Sequence, residues 1–217
     1  MGLFVKVKRS FDVGKAKAHV NYIAFRSREA PGEERGAFDR DHDHADVTRF
    51  REHLEDPLTR HPMATKAYKL TISLSDREFR ALGLTSWKPV VREAMENLER
   101  KWGRQLDWIA AEHMAKGHPH VHVVIKGTCV DSTGRERQLR LDKVHLQELK
   151  QEIRWVAEKN RSLERERSMA KTDTLMRAFE AALRALSQPD HEEEHERETE
   201  HQRWLRGRRS RDDDRGR

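Results

Sequence analysis

Four histidines fall within ten residues near the middle of the chain: His113, His118, His120 and His122. Side chains alternate between the two faces of a β-strand, so His120 and His122 would share a face if a strand begins at residue 120. A glycine and a proline interrupt the chain between the first histidine and the last two. The pattern therefore predicts a β-hairpin with strands at residues 106–113 and 120–126.

Three of these imidazoles can converge on one cation, because His113 would lie nearly opposite His120 in that hairpin. Three neutral nitrogen ligands leave coordination positions open, which is typical of a catalytic metal. The chain has 13 histidines, so chance clustering is the alternative, and His118 in the loop is expected to be an ordinary side chain. We predict His113, His120 and His122 as ligands, and imidazoles suit zinc, manganese, cobalt or nickel.

One of the two tyrosines, Tyr22, lies in a segment rich in basic residues. Lys15, Lys17, Arg26 and Arg28 surround it and are predicted to contact the phosphates of a nucleic acid. A tyrosine can form a covalent intermediate, provided that a metal makes the phosphate electrophilic enough for a phenol. The residues leave three activities open: hydrolysis, metal binding for transport, and cleavage of nucleic acid.

Apolar periodicity predicts the elements that position these residues. Alternation predicts strands, and three-four spacing predicts helices. The predicted strands are residues 3–7, 67–75 and 136–141 besides the hairpin, and the predicted helices are residues 15–27 and 86–103. The fold class is therefore α+β, a central antiparallel sheet of about five strands with covering helices. Residues 29–62 are polar and are expected to form a solvated connection.

The last third of the sequence changes in character. Residues 143–188 are predicted to form C-terminal helices, either two or one that breaks near Asn160. Residues 189–217 are highly charged and are expected to be a disordered tail. The predicted organisation is a folded domain at residues 1–142, a helical extension at residues 143–188 and the charged tail.

The composition points to a polyanionic partner. Residues 1–188 contain 36 Lys and Arg against 28 Asp and Glu, and an excess of positive charge favours binding to nucleic acid. The single cysteine excludes an intramolecular disulfide, and no apolar run reaches the length of a membrane span. We expect a cytoplasmic protein that does not insert into a membrane.

Three segments together resemble the relaxase family of plasmid mobilisation proteins, the HUH single-strand DNA endonucleases of the MobA/VirD type. They are residues 15–26, residues 106–113 and the histidine segment at residues 118–127, and the resemblance covers roughly residues 1–142. Replication initiators of the same superfamily carry their tyrosine after the histidines, whereas no tyrosine follows His122 here. The order of the motifs therefore matches a relaxase.

The resemblance implies a specific activity. Tyr22 would attack a phosphodiester at a transfer origin, stay attached to the 5′ end of the single-stranded DNA and leave a free 3′ hydroxyl. His113, His120 and His122 would hold a divalent ion, with magnesium or manganese implied. Accessory relaxosome proteins and a separate helicase are the expected partners. Many relatives have an acidic residue where this chain has Ala115, so one group that orients a ligand is missing.

Some roles stay open at this point. His19, one helical turn before Tyr22, is either the general base for the tyrosine or a structural or DNA contact. Two other functions also fit the residues. One is a non-catalytic DNA-binding component of a relaxosome or replication complex, and the other is a metal-dependent phosphodiesterase that uses water in place of tyrosine.

Overall fold

The computed structural model describes residues 2–25, 36–114 and 117–186 and the single positions 200 and 203. Contacts divide the chain into two units, Met1–Arg165 and Glu166–Arg217. The elements in order are β1 (Phe4–Ser10), α1 (Val13–Phe25), α2 (Val47–His53), a 3₁₀ turn (Pro57–Thr59), β2 (Ala67–Ser73), α3 (Asp76–Ala81), α4 (Lys88–Trp102), β3 (Arg104–His113), β4 (His120–Asp131), β5 (Glu136–Gln138) and α5 (Lys143–Leu186).

The first unit contains one five-stranded antiparallel sheet in the order β1-β2-β4-β3, with β5 paired to β4. Strand β4 is the longest, with twelve residues. It pairs with β3 along one edge and with both β2 and β5 along the other. Residues 120–126 of β4 pair with β2, and residues 128–130 pair with β5. This sheet and its covering helices confirm the predicted α+β fold class.

Both faces of the sheet carry buried apolar side chains. One face packs against α3, α4 and the first part of α5, through residues such as Leu70, Val123 and Ile125. The other face packs against α1 and α2, and its buried residues include Ile109 and Val124. The predicted histidine strands alternate as expected, because Ile109 and Val124 lie on the same face that the histidines occupy.

Local sequence signals explain where helix α4 begins and ends. Helix α4 has a proline in its first turn, and its backbone ends at Gly103, which adopts a left-handed φ of 59°. Glu112 of β3 accepts hydrogen bonds from the Ser86 hydroxyl and the Trp87 amide, both at 2.8 Å, at the start of this helix. These contacts attach the start of α4 to the end of β3.

Residues 40–44 of the expected solvated connection at residues 29–62 are exposed, but the expectation was wrong for Phe38 and for the segment that contains α2. Phe38 is buried and forms an isolated bridge with Ala110 of β3. Val47, Phe50 and Leu54 are buried in the core beneath α1. Their spacing is helical, but three apolar residues in a polar segment gave too weak a periodic signal for a seven-residue helix.

Helix α5 extends over residues that were expected to form two helices or one broken helix. Asn160 does not interrupt it, because the Asn160 side chain donates a hydrogen bond to the Val156 carbonyl at 3.0 Å within the helix. In the first unit Leu149 and Ile153 of α5 are buried. In the second unit the α5 side chains are exposed. The predicted tail at residues 189–217 lies outside the described residues, apart from positions 200 and 203.

No helix within the described residues is long and apolar enough to cross a lipid bilayer.

Gly127 of β4 provides a test of how closely the sheet is packed. An added Cβ at this position would lie 1.9 Å from the Thr65 carbonyl oxygen, a backbone atom that cannot move independently. We expect Gly127→Ala to lower the free energy of unfolding by about 3 kcal/mol, at the upper end for overpacking. Urea denaturation followed by circular dichroism measures this change.

Gly103→Ala is the matched control, because an added Cβ there meets no atom within 4 Å and the only cost is the positive φ. That cost is about 1–2 kcal/mol. Equal losses of stability in the two variants would contradict the close approach of β4 to Thr65.

Candidate metal centre and the overlying helix

The hairpin of β3 and β4 brings three imidazoles together. His113 pairs directly with His120 across the two strands, and Ala111 pairs with His122. Alternation along each strand therefore places the three histidines on one face of the sheet. One nitrogen from each of His113, His120 and His122 lies within 4.8 Å of the other two, and the ring centroids are 5.0–5.1 Å apart.

Hydrogen bonds to backbone carbonyls fix which nitrogen of two of these rings carries its hydrogen. His113 is fully buried, and its Nε2 lies 2.9 Å from the Ile23 carbonyl oxygen of α1. The Nδ1 of His120 lies 2.9 Å from the His118 carbonyl oxygen. A carbonyl can only accept, so these two nitrogens carry the hydrogens. The lone pairs then remain on His113 Nδ1 and His120 Nε2.

His122 has a similar outer partner. Its Nδ1 lies 3.2 Å from the Thr71 hydroxyl oxygen of β2. Thr71 is directly opposite His122 in the register of β2 and β4. Each of the three rings is therefore oriented through one nitrogen by an outer hydrogen-bonding group, the arrangement that holds histidine ligands around metals.

The arrangement of the two remaining ring nitrogens fits a cation. His113 Nδ1 and His120 Nε2 are 3.3 Å apart, and two lone pairs at this separation repel each other unless a proton or a metal ion lies between them. The donor set of three imidazoles fits zinc, manganese, cobalt or nickel. Across residues 2–25, 36–114 and 117–186, no other group of three histidines, cysteines or carboxylates is placed to hold a metal ion.

Helix α1 lies over this cluster. The His19 ring packs edge-to-face on His122, with centroids 6.0 Å apart. Burial, together with the nearby charge of Lys69, lowers the pKa of His19 to about 4. His19 is therefore neutral near pH 7 and can accept a proton. Tyr22 follows one turn later and directly precedes Ile23, whose carbonyl contacts His113, and its side chain is 56% exposed.

The predicted basic contacts have different surroundings. Lys15 is exposed, and its carbonyl accepts a hydrogen bond from Lys69 at 3.1 Å. Lys17 forms an ion pair with Glu55 just beyond α2, so part of its charge is already neutralised. Arg26 and Arg28 lie outside the described residues, as does Ala115.

Sequence reasoning missed the residues of β2 and α1 that support the cluster. Thr71 and Lys69 lie on the polar face of β2, and the period-two pattern of that strand was recognised only for its apolar face. Their nearness to the histidines depends on the pairing of β2 with β4, which are separated by some fifty residues. The Ile23 contact uses a backbone carbonyl, and no side-chain pattern can reveal such a partner.

No protein-family model matches the chain, and no curated protein matches it significantly. Solved structures do match. A copper-bound structure of the conjugative relaxase TrwC in complex with oriT DNA superposes with a TM-score of 0.50 and 17% identity over 76% of this chain and 70% of that chain.

A metal-bound structure of the same relaxase with oriT DNA gives a TM-score of 0.49 and 17% identity, again over 76% and 70% of the two chains. A TrwC complex with a 27-mer DNA that comprises the recognition hairpin and the cleavage site gives 0.48 and 18% identity over 76% and 69%. At these identities the copper-bound match establishes a likeness of fold to a conjugative relaxase, and no activity follows from it directly.

The outer hydrogen bonds generate a prediction about metal affinity. We expect Mn²⁺ to raise the thermal unfolding midpoint of the wild-type protein, because a ligand that binds only the folded state stabilises it. His120→Ala should abolish this rise. Thr71→Val should weaken Mn²⁺ binding about 10- to 100-fold, because it removes the partner of a ligand. Thermal unfolding with and without Mn²⁺ measures the rise in the midpoint, and isothermal titration calorimetry measures the Mn²⁺ affinity of each variant.

His118→Ala is the control for this experiment. His118 contacts the cluster through its carbonyl oxygen, while its side chain is exposed. The variant should therefore bind Mn²⁺ as the wild type does. If His120→Ala bound Mn²⁺ with unchanged affinity, His120 would not be a ligand.

Proposed function

We propose that this protein is a metal-dependent DNA strand transferase, a relaxase that nicks and rejoins one strand of DNA at the transfer origin of a plasmid or integrative element. One observation carries the proposal: three imidazoles bring one possible ligand nitrogen each to within 4.8 Å of the other two, beneath the helix that bears Tyr22. The relaxase-like fold supports it, because solved structures of that fold are complexes with oriT DNA.

Tyr22 is the nucleophile in the proposed reaction. Its hydroxyl oxygen attacks the scissile phosphorus, the bond from phosphorus to the 3′ oxygen breaks, and a proton reaches the departing 3′ hydroxyl. The phosphate stays on Tyr22 as a diester to the 5′ end of the DNA. Attack by a 3′ hydroxyl reverses these steps and rejoins a strand without ATP, because the phosphotyrosine retains the energy of the broken bond.

His113, His120 and His122 would hold the ion, magnesium or manganese by resemblance. A bound divalent ion would supply electrophilic activation of the scissile phosphate. The three histidines are held from outside by two carbonyls and one hydroxyl, so they need little rearrangement on binding. This preorganisation supports a resident ion.

His19 is proposed to accept the proton from Tyr22. It is neutral at physiological pH because burial and Lys69 lower its pKa. It is also one helical turn from Tyr22, a spacing at which side chains on a helix are neighbours. Single-stranded DNA is the proposed substrate, and accessory relaxosome proteins and a helicase are proposed to present it.

The central test is a covalent adduct. The purified protein is mixed with Mn²⁺ and a pool of single-stranded oligonucleotides that have a randomised central segment, and adducts that survive SDS are separated by electrophoresis. We expect an adduct with the wild type and none with Tyr22→Phe, because the phenylalanine lacks the attacking oxygen. Sequencing of the captured DNA identifies the nick site.

Tyr68→Phe is the matched control, since Tyr68 is the other tyrosine of the chain. Its hydroxyl is buried between the Leu139 carbonyl and the Leu141 amide, on the opposite face of the sheet from the histidines. This variant should form the adduct. An adduct of unchanged yield with Tyr22→Phe would remove Tyr22 from the mechanism, and DNA cleaved with two free ends would indicate attack by water.

A second experiment separates the two roles considered for His19. As a general base, His19 should contribute roughly 10²- to 10⁴-fold to the rate of adduct formation. We expect His19→Gln to slow single-turnover adduct formation by at least roughly 10²-fold, while the affinity for DNA stays unchanged. Loss of DNA affinity at an unchanged rate would instead assign His19 to binding.

A further inference from the structure

An open strip of the sheet lies beside the histidine cluster, on the same face. Alternate residues of the edge strand β1, namely Phe4, Lys6 and Lys8, project from this face. The registers continue from β1 through β2 to β4. Phe4 is opposite Ser73, which is opposite His120, and Lys6 is opposite Thr71, which is opposite His122.

Two lysines on this strip lie directly opposite each other. Lys8 of β1 pairs with Lys69 of β2, and like charges in directly opposed positions destabilise a sheet. Among the described residues no carboxylate lies within salt-bridge distance of Lys6, Lys8 or Lys69. Burial, together with the charges of Lys8 and Lys15, lowers the pKa of Lys69, although Asp12 opposes this change. The strip is therefore strongly electropositive and has no carboxylate partner among the described residues, although the Lys69 ammonium donates a hydrogen bond to the Lys15 carbonyl.

Phe4 adds an aromatic ring at the end of the strip nearest the metal ligands. Its side chain is 56% exposed. Neighbouring strands are about 4.8 Å apart, so Phe4 lies roughly 10 Å from His120 across the sheet. An exposed aromatic ring beside unpaired cations matches the chemistry of single-stranded DNA, whose bases stack on aromatic rings while its phosphates contact cations.

We propose that Phe4, Lys6, Lys8 and Lys69 form a platform that holds single-stranded DNA next to the histidine cluster. The lysines contact successive phosphates, and Phe4 stacks on an unpaired base. This inference rests on the proposed function, because it assigns the path of the substrate strand beside the reacting phosphate. It also explains why a repulsive pair of lysines lies on the strip: the phosphate of the bound strand supplies the missing negative charge.

The platform is tested by binding, without any cleavage. The full chain is titrated into a fluorescein-labelled oligothymidine in EDTA at several salt concentrations, and fluorescence anisotropy reports the affinity. We expect Lys8→Glu to weaken binding at least tenfold and to make the slope of log affinity against log salt shallower by about 0.7 or more. Phe4→Leu should weaken binding about 5- to 100-fold with an unchanged slope, because stacking is not ionic.

Lys8→Glu also carries a readout that a folding defect would not give. It replaces a repulsive pair with an attractive one opposite Lys69, so the thermal unfolding midpoint should rise while DNA affinity falls. Arg9→Gln is the charge control, because Arg9 projects from the opposite face of the same strand. Phe179→Leu is the aromatic control, since Phe179 is 59% exposed and lies in the second unit. Both controls should bind as the wild type does.

The outcomes separate this inference from the proposed function. If Lys8→Glu and Phe4→Leu bind oligothymidine as the wild type does, or if a duplex of equal length binds more tightly than the single strand, the platform is overturned. The Tyr22 adduct can still form in either case. Absence of the adduct from a protein whose DNA binding depends on Phe4 and Lys8 would instead overturn the proposed function and leave the platform standing as a binding site.

Discussion

The hydrogen bond between His113 and the Ile23 carbonyl is the contact on which the candidate site depends. It joins the deepest ring of the cluster to the helix that bears Tyr22 and His19, at 2.9 Å and out of contact with water. A buried polar atom that loses its partner costs about 1–3 kcal/mol. The position of α1 on the sheet and the orientation of the His113 ring are therefore fixed together.

The other two rings are less deeply buried, and the difference follows from their places in the sheet. His120 and His122 are only partly buried, and both lie on β4, which faces the open strip along β2 and β1. The cluster is thus closed on the side of α1 and accessible on the side of the edge strand. The proposed ligands and the proposed substrate path share one face because alternation assigns every second residue of four strands, β1 to β4, to it.

The sequence predicted well those features that depend on neighbouring residues. The period-two patterns located β1, β2 and the histidine strands, and the proline and glycine at the ends of α4 located that helix. The face shared by the three histidines followed from spacing alone, since a hairpin is a local structure. The metal-ligand and nucleophile roles of these residues stay predictions.

What could not be predicted depends on contacts between distant segments. The pairing of β2 with β4 brings Thr71 to His122, and nothing near either residue in the sequence encodes that register. The short helix α2 is stabilised mainly by packing under α1, so its own residues carry a weak signal. The Ile23 group that contacts His113 is a backbone carbonyl, and a sequence motif describes only side chains.

The single register of β4 has a consequence for how the chain can misfold. Val121 and Val123 pack in one hydrophobic core, and the alternate residues His120 and His122 lie on the other face of the sheet. A slip of one residue would drive imidazoles into the apolar interior and turn valines outward. The register that buries the valines is also the register that places His120 and His122 on the face of His113, so correct packing of the core and assembly of the candidate metal centre depend on each other.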